Sequence, residues 1–304
     1  MQFDRRGFLS RTSSCVAAAA SSPLVLSQVE AGTDSADGAV ATGLPVDWKS
    51  MRKIDCHMHV AQSARDGDHG DADTVIEAAN ALGIELLCTS RPINRMAPPA
   101  EVRSVNDLVL AAMKRHPGRI LGYCFLIPGH KETIPELERC LGAGMIGVKL
   151  YNQYKYSDPV CNPIVERCIE EQVPILGHAG HLCDPPTIKR QPNISDASEF
   201  CKLAKRYPEA MLIHGHLHGG GDWEWNIKGL RDCRNVYLDT SGSVLDAQTI
   251  EMAIDVLGHE RIVFGTDTML ETGVGRILSA QLTSVQREAI FAGNMQRILD
   301  RRKS

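Results

Sequence analysis

The chain has 304 residues, 43% of them hydrophobic and 23% charged, the balance of a soluble globular protein with one large α/β domain or two small ones. Its net charge of −4 with histidine neutral offers no basic footprint for nucleic acid and no charged tail. Aromatic residues make up only 5%, so a core must be built mainly from Val, Ile, Leu, Met and Ala.

The first segment is unlike the rest. Asp4-Arg5-Arg6-Gly7-Phe8-Leu9-Ser10 sets two arginines before an apolar pair, a weakly apolar Ala/Ser-rich stretch follows over 15–26, and Val29-Glu30-Ala31 offers small residues at a cleavage spacing. This resembles a twin-arginine (Tat) export signal. The resemblance implies a signal over 1–31, a polar linker over 32–51 and a folded domain over 52–304, with the Tat machinery as a partner and a periplasmic or extracellular location. The apolar run is too short and too broken by Ser and Pro to span a bilayer. Of the ten cysteines, Cys15 falls in this signal, and the other nine are scattered without a C-x-x-C pair. Tat substrates fold before export, so buried free thiols are expected, with any metal loaded in the cytoplasm.

From residue 52 on, short β-branched runs alternate with helix-like stretches. Strands are expected at 53–60, 85–90, 119–126, 145–151, 174–180, 210–216, 236–242 and 261–267. Amphipathic helices are expected at 71–82, 102–116, 133–142, 163–172, 195–207 and 247–257, with a closing helix over 284–302. The Gly- and Trp-containing connection 219–235 reads as a loop with a short helix. Alternating strands and helices point to a parallel sheet, and the near-continuous apolar strands to one covered on both faces. Eight such units in about 250 residues predict a (β/α)8 TIM barrel. An open doubly wound sheet would carry a glycine-rich loop after the first strand, where this chain has histidines.

The first strand reads Lys53-Ile54-Asp55-Cys56-His57-Met58-His59-Val60. Strand alternation puts Asp55, His57 and His59 on one face, where two imidazoles at i and i+2 can grip one ion. The fifth strand closes on His178, and the sixth carries His214, His216 and His218 at alternate positions, of which only one need touch a metal. The eighth ends in Asp267, a carboxylate that is costly at the end of an apolar strand unless paired or bound to a cation. These residues gather at the C-terminal ends of strands, where barrel enzymes keep their active sites.

The ordered set Ile54-Asp55-Cys56-His57-Met58-His59, Gly147-Val148-Lys149-Leu150, Val173-Pro174-Ile175-Leu176-Gly177-His178, His216-Leu217-His218-Gly219-Gly220, Phe264-Gly265-Thr266-Asp267 and Ala292-Gly293-Asn294-Met295-Gln296-Arg297 resembles the amidohydrolase superfamily. Within it, the set resembles the second large amidohydrolase group of metal-dependent barrel hydrolases and decarboxylases. The resemblance spans about 52–302. It implies metal binding by His57, His59 and His178, with His216 favoured over His214, and Asp267 as ligand or as acceptor of the proton from metal-bound water. It also implies one divalent ion, most readily zinc, although the ligand types alone do not separate zinc from manganese or iron. Lys149 stands where some members carry a carboxylated lysine that bridges a second metal. An ion pair or a contact to an anionic substrate is the alternative.

The expected chemistry is hydrolysis of an amide, ester or lactone bond in a small molecule. The metal lowers the pKa of bound water from about 15.7 towards 7, Asp267 serves as general base, and His216 or His178 polarises the carbonyl. The alternatives are decarboxylation of an unsaturated or aromatic acid, and an exported metal-binding protein without turnover. Substrate contacts are expected from Tyr151, His181, His218, Asp222, Trp223 and Trp225, with Arg91 after strand two. A homo-oligomer is compatible with the sequence, which neither requires nor specifies one.

Overall fold

The structure, a computed structural model, describes residues 45, 47–61, 71–219 and 221–302. The expected signal and most of the linker lie outside the described residues. Among the described residues no helix is long and apolar enough to cross a membrane.

Eight parallel strands occur in chain order: β1 (Ile54–His59), β2 (Leu86–Ser90), β3 (Ile120–Phe125), β4 (Gly147–Leu150), β5 (Ile175–Gly177), β6 (Leu212–His214), β7 (Val236–Asp239) and β8 (Ile262–Val263). Each pairs with its sequence neighbour, so the order is β1 through β8 without a crossover. The last strand returns to the first through Cys56 N–H donating to Phe264 O at 2.8 Å and Asp267 N–H donating to His57 O at 2.7 Å. The fold is a (β/α)8 TIM barrel, as the alternation predicts.

The helices are α1 (Ala72–Leu82), α2 (Pro99–Arg115), α3 (Thr133–Gly142), α4 (Asn162–Glu170), α5 (Pro185–Arg190), α6 (Ala197–Arg206), α7 (Trp223–Gly229), α8 (Thr249–Leu257), α9 (Leu270–Ser279), α10 (Ser284–Glu288) and α11 (Asn294–Leu299). Several begin where an Asp or Thr side chain accepts from the first turn: Asp71 caps α1, Asp196 α6 and Asp222 α7, and Thr283 with Gln286 closes a capping box on α10. Their apolar faces bury Leu, Val, Ile and Phe against the outer side of the barrel. A separate apolar cluster, including Ile54, Cys56, Cys88, Tyr123, Leu176, Ile213 and Val263, fills the interior and is plugged by Met295 and Ile298 of α11.

Beyond α9, which no expected helix covers, three departures from the sequence expectations concern the fold. The closing helix is not continuous: a π-helical turn over Ala289–Gly293 separates α10 from α11. Ile290 O accepts from Phe264 N at 3.0 Å, a bond to β8 that a regular helical ladder would not leave free. The short α5 has no buried side chain, so no amphipathic pattern announces it. Third, the cysteines are not all free: Cys201 and Cys233 form a disulfide with Cα atoms 5.6 Å apart. Their separation of 32 residues carries no pairing signal, and only the packing of α6 beside the turn before β7 brings them together. Closing that loop disfavours the unfolded chain by about 3–4 kcal/mol.

Candidate metal centre

β1 delivers two histidines to the mouth of the barrel, but not by simple alternation. Its register against β2 shifts between Asp55 and Met58. Ile54 and Cys56 face the interior cluster, whereas Met58 joins the outer core. His57 and His59 flank Met58 and face inward together. Asp55, expected on the same face, instead ties β1 to the end of β8. It accepts from Thr266 Oγ1 at 2.5 Å, Thr266 N at 3.1 Å and His57 N at 3.0 Å. Burial pushes its carboxyl up to about 7 against these bonds.

The hydrogen bonds behind each ring fix its tautomer. Asp239, buried at the end of β7, accepts from His57 Nδ1–H at 2.7 Å, so His57 Nε2 presents a lone pair to the mouth. Ser90 O accepts from His59 Nδ1–H at 3.1 Å, which leaves His59 Nε2 facing Asp267. Asp267 Oδ1 lies 3.0 Å from His59 Nε2 and 3.6 Å from His57 Nε2. Three acceptor atoms therefore converge, all within 4.8 Å of one another. Such a set is repulsive unless a cation sits among them, and two imidazoles with a carboxylate are a donor set for a divalent metal. Within the structure the facing cation is Lys149, fully buried, with Nζ 2.6 Å from His57 Nε2. Burial lowers its ammonium to about 8, opposed by Asp267 and Asp239.

His57, His216 and Asp239 also lie within ligand distance of one another, but Asp239 is already saturated. Besides His57 it accepts from His216 N at 2.9 Å, Ser241 N at 2.9 Å and Ser241 Oγ at 2.6 Å. It is a hydrogen-bond hub behind the converging acceptors. Burial alone would raise its pKa, yet the contact with His57 outweighs this and holds it well below the carboxylate range. Sequence reasoning missed Asp239, although the signal was the one that found Asp267: an acid closing the apolar run Val-Tyr-Leu.

His216 joins the cluster and His214 does not. β6 stops at His214, whose ring packs on Phe200 and whose Nε2 lies 3.2 Å from Asn226 Oδ1. Alternation would send His216 the same outward way. It turns inward because its φ is +68° and because Gly215 can crowd against β5, where an added Cβ would sit 2.7 Å from Gly177 O. His216 Nδ1–H donates to Ser241 Oγ at 3.0 Å, and its Nε2 lies 2.8 Å from His178 Nδ1. Asp267 and Thr268 also hold positive φ, +49° and +75°. Left-handed backbone at non-glycine residues thus concentrates at the mouth.

His178 lies beyond the three converging acceptors. Tyr151 stacks on its ring at 4.1 Å, and its Nε2 lies 3.1 Å from Gln191 Oε1. Burial, then the neighbouring His216, push it well below the usual histidine value. Burial likewise holds His57 at about 4 and His216 at about 3. Asp267 is ionised: burial opposes this, but His216, His57 and His59 draw its pKa well down.

The expected substrate contacts divide. Tyr151 is at the site. His181 is held by Asp196 at 2.9 Å and stacks on the half-exposed Trp225, while Trp223 Nε1–H donates to Asp246 at 2.7 Å and Asp222 caps α7. His218 is engaged within the fold. It is 1% exposed, with Nδ1–H donating to Thr240 O at 3.1 Å and Nε2 2.5 Å from Thr249 Oγ1. Both of its ring nitrogens are engaged with the protein.

Residues 54–301 match the amidohydrolase family. The chain belongs to that family, a group of metal-dependent enzymes. A search of curated protein sequences gives no match. Among solved structures the chain is similar to 2,6-dihydroxybenzoate decarboxylase from Rhizobium, at 18% identity, 82% of this chain, 98% of that chain and a TM-score of 0.62. It is also similar to a manganese-bound 5-carboxyvanillate decarboxylase from Novosphingobium aromaticivorans, at 15% identity, 85% of this chain, 100% of that chain and a TM-score of 0.66. A third is 4-oxalomesaconate hydratase from Rhodopseudomonas palustris, at 20% identity, 82% of this chain, 96% of that chain and a TM-score of 0.62. At these identities the likeness is one of fold.

Proposed function

We propose that this amidohydrolase is a metal-dependent decarboxylase of a small aromatic or unsaturated carboxylic acid, rather than the hydrolase first expected from its sequence. One observation carries the reading. Arg91, directly after the Ser90 that holds His59, is part-buried and has no hydrogen-bond or ion-pair partner among the described residues. None of its guanidinium nitrogens is sealed from solvent, so they are open to an incoming anion, and a substrate carboxylate would engage them bidentately. A neutral amide, ester or lactone would not. The names of the similar decarboxylase structures support the same choice.

His57, His59 and Asp267 would hold the divalent ion, and the manganese in a similar structure makes that metal as good a candidate as zinc for this donor set. When bound, the ion supplies Lewis-acid polarisation of a substrate oxygen. The chain's own residues do the rest. Arg91 anchors the acid, and Tyr151, stacked on His178, offers a flat wall. In the net reaction R–CO2⁻ + H⁺ → R–H + CO2, the carbon–carbon bond breaks and its electron pair stays on the substrate carbon, which takes up one proton. Asp267, whose side chain is 28% exposed at the mouth, is the group placed to deliver it. Being ionised, it first takes that proton from substrate or solvent.

Hydrolysis keeps one observation in its favour: an ionised Asp267 open to the mouth is also what a general base for water requires. Incubating the manganese- and zinc-loaded protein with hydroxybenzoates and unsaturated diacids, and separately with esters, amides and lactones, separates the two. CO2 release that is lost in Asp267→Asn and Arg91→Met is expected. Hydrolysis without CO2 release would reverse the assignment.

A further inference from the structure

Arg276 lies on α9 and reaches across to the segment that follows β7. Its Nη1–H donates to Thr240 O at 3.3 Å, and Nη2–H donates to Gly242 O and to Val244 O at 3.0 Å. The strand end and segment it grips are those that carry Asp239 and Ser241, the two residues behind His57 and His216. From the other side, His218 N–H donates to Ser241 O at 2.9 Å, Val244 N–H donates to His218 O at 3.0 Å and His218 Nδ1–H donates to Thr240 O. Gly242, at φ +114°, lies so close to the His218 backbone that a Cβ would strike it. The segment is thus held in a single path between the β6 extension and one guanidinium.

We propose that Arg276 is a positioning residue for the metal centre. By fixing the carbonyls of Thr240, Gly242 and Val244 it holds Asp239 and Ser241 against His57 and His216, and so sets the affinity of the cluster for divalent metal. This rests on the reading of His57, His59 and Asp267 as a metal site. Orientation of ligand rings by outer partners typically contributes 10–100-fold in metal affinity. A fork of donors matched to three carbonyls is not replaced by the single ammonium of lysine. Arg276 also lines a cavity of about 560 Å³ between α8 and α9. Its neighbour Gly275 faces open space, with nothing within 4 Å of an added Cβ, which supplies a control on the same helix.

The test is calorimetric titration of the metal-stripped full chain with Mn2+, together with the visible spectrum of the Co2+-loaded protein and the melting of the metal-free protein. Arg276→Met is expected to bind Mn2+ about ten-fold more weakly, with displaced Co2+ bands and a metal-free melting temperature close to that of the wild type. Arg276→Lys should be intermediate and Gly275→Ala unchanged. Wild-type affinity and an unchanged Co2+ spectrum in Arg276→Met overturn the proposal. If that variant does not fold, wild-type affinity in Arg276→Lys overturns it. No metal uptake by the wild type would remove the metal reading and this inference with it, whereas equal uptake by wild type and variants removes the inference alone.

Discussion

At the scale of single residues, Asp239 has the largest effect for the least visibility. It accepts four hydrogen bonds, and the one from His57 decides which nitrogen of that ring faces the barrel mouth. In Asp239→Asn the amide would turn a donor towards His57 Nδ1, or give up its bonds to His216 and Ser241. Either way His57 Nε2 loses its fixed lone pair. Metal affinity is expected to fall 10–100-fold while the apolar core is untouched, which titration with Mn2+ alongside far-UV circular dichroism would check. The buried histidines set an acid limit. Burial holds His214 and His218 at about 4, against about 6.5 in an unfolded chain. A depressed folded value means that the unfolded state takes up the proton first. Stability is therefore full above 6.5 and drains as pH falls towards 4, by about 2 kcal/mol for each ring at pH 5. Urea denaturation of the metal-free protein at pH 7 and pH 5 measures this, and equal stabilities would contradict it.

At the scale of elements, the eight strands were legible because each is a short apolar run bounded by turn residues, and a barrel leaves little choice of order. Alternation was less reliable within them. It placed Asp55 with His57 and His59, but the register shift in β1 intervenes. It placed His214 with His216, but a left-handed residue redirects the chain. Both failures fall at the mouth, where the backbone leaves regular geometry to aim side chains, and no residue-by-residue periodicity reports such a turn. Asp239 could have been read by the rule that found Asp267. The partnership of Cys201 with Cys233 could not, because it depends on how α6 packs beside the turn before β7. The close approach of β6 to β5 can be probed directly. Gly215→Ala puts a Cβ against Gly177 O and near the His57 ring. It should cost about 1–3 kcal/mol and weaken metal binding as well, read from urea midpoints and Mn2+ titration. A fully stable variant would show that β6 can move away at no cost.

At the scale of the whole molecule, the residues proposed as metal ligands come from opposite ends of the barrel sequence, β1 and the end of β8, which meet where the barrel closes. An ion held between them joins the first and last strands. Metal at 100 times its dissociation constant should therefore stabilise the fold by about 2.7 kcal/mol, a rise of roughly 5–10 °C in melting temperature that a chelator reverses. A melting temperature indifferent to Mn2+ and Zn2+ would argue against the site. The disulfide acts on a different stretch. The ring between Cys201 and Cys233 encloses all of β6 and α7, with the His214–His218 stretch and the half-exposed Trp225. A protease that cuts the chain once inside that ring releases no fragment. The two pieces stay covalently joined, each still paired through its own barrel strands, and a nick there becomes visible as two smaller chains only after a reductant is added.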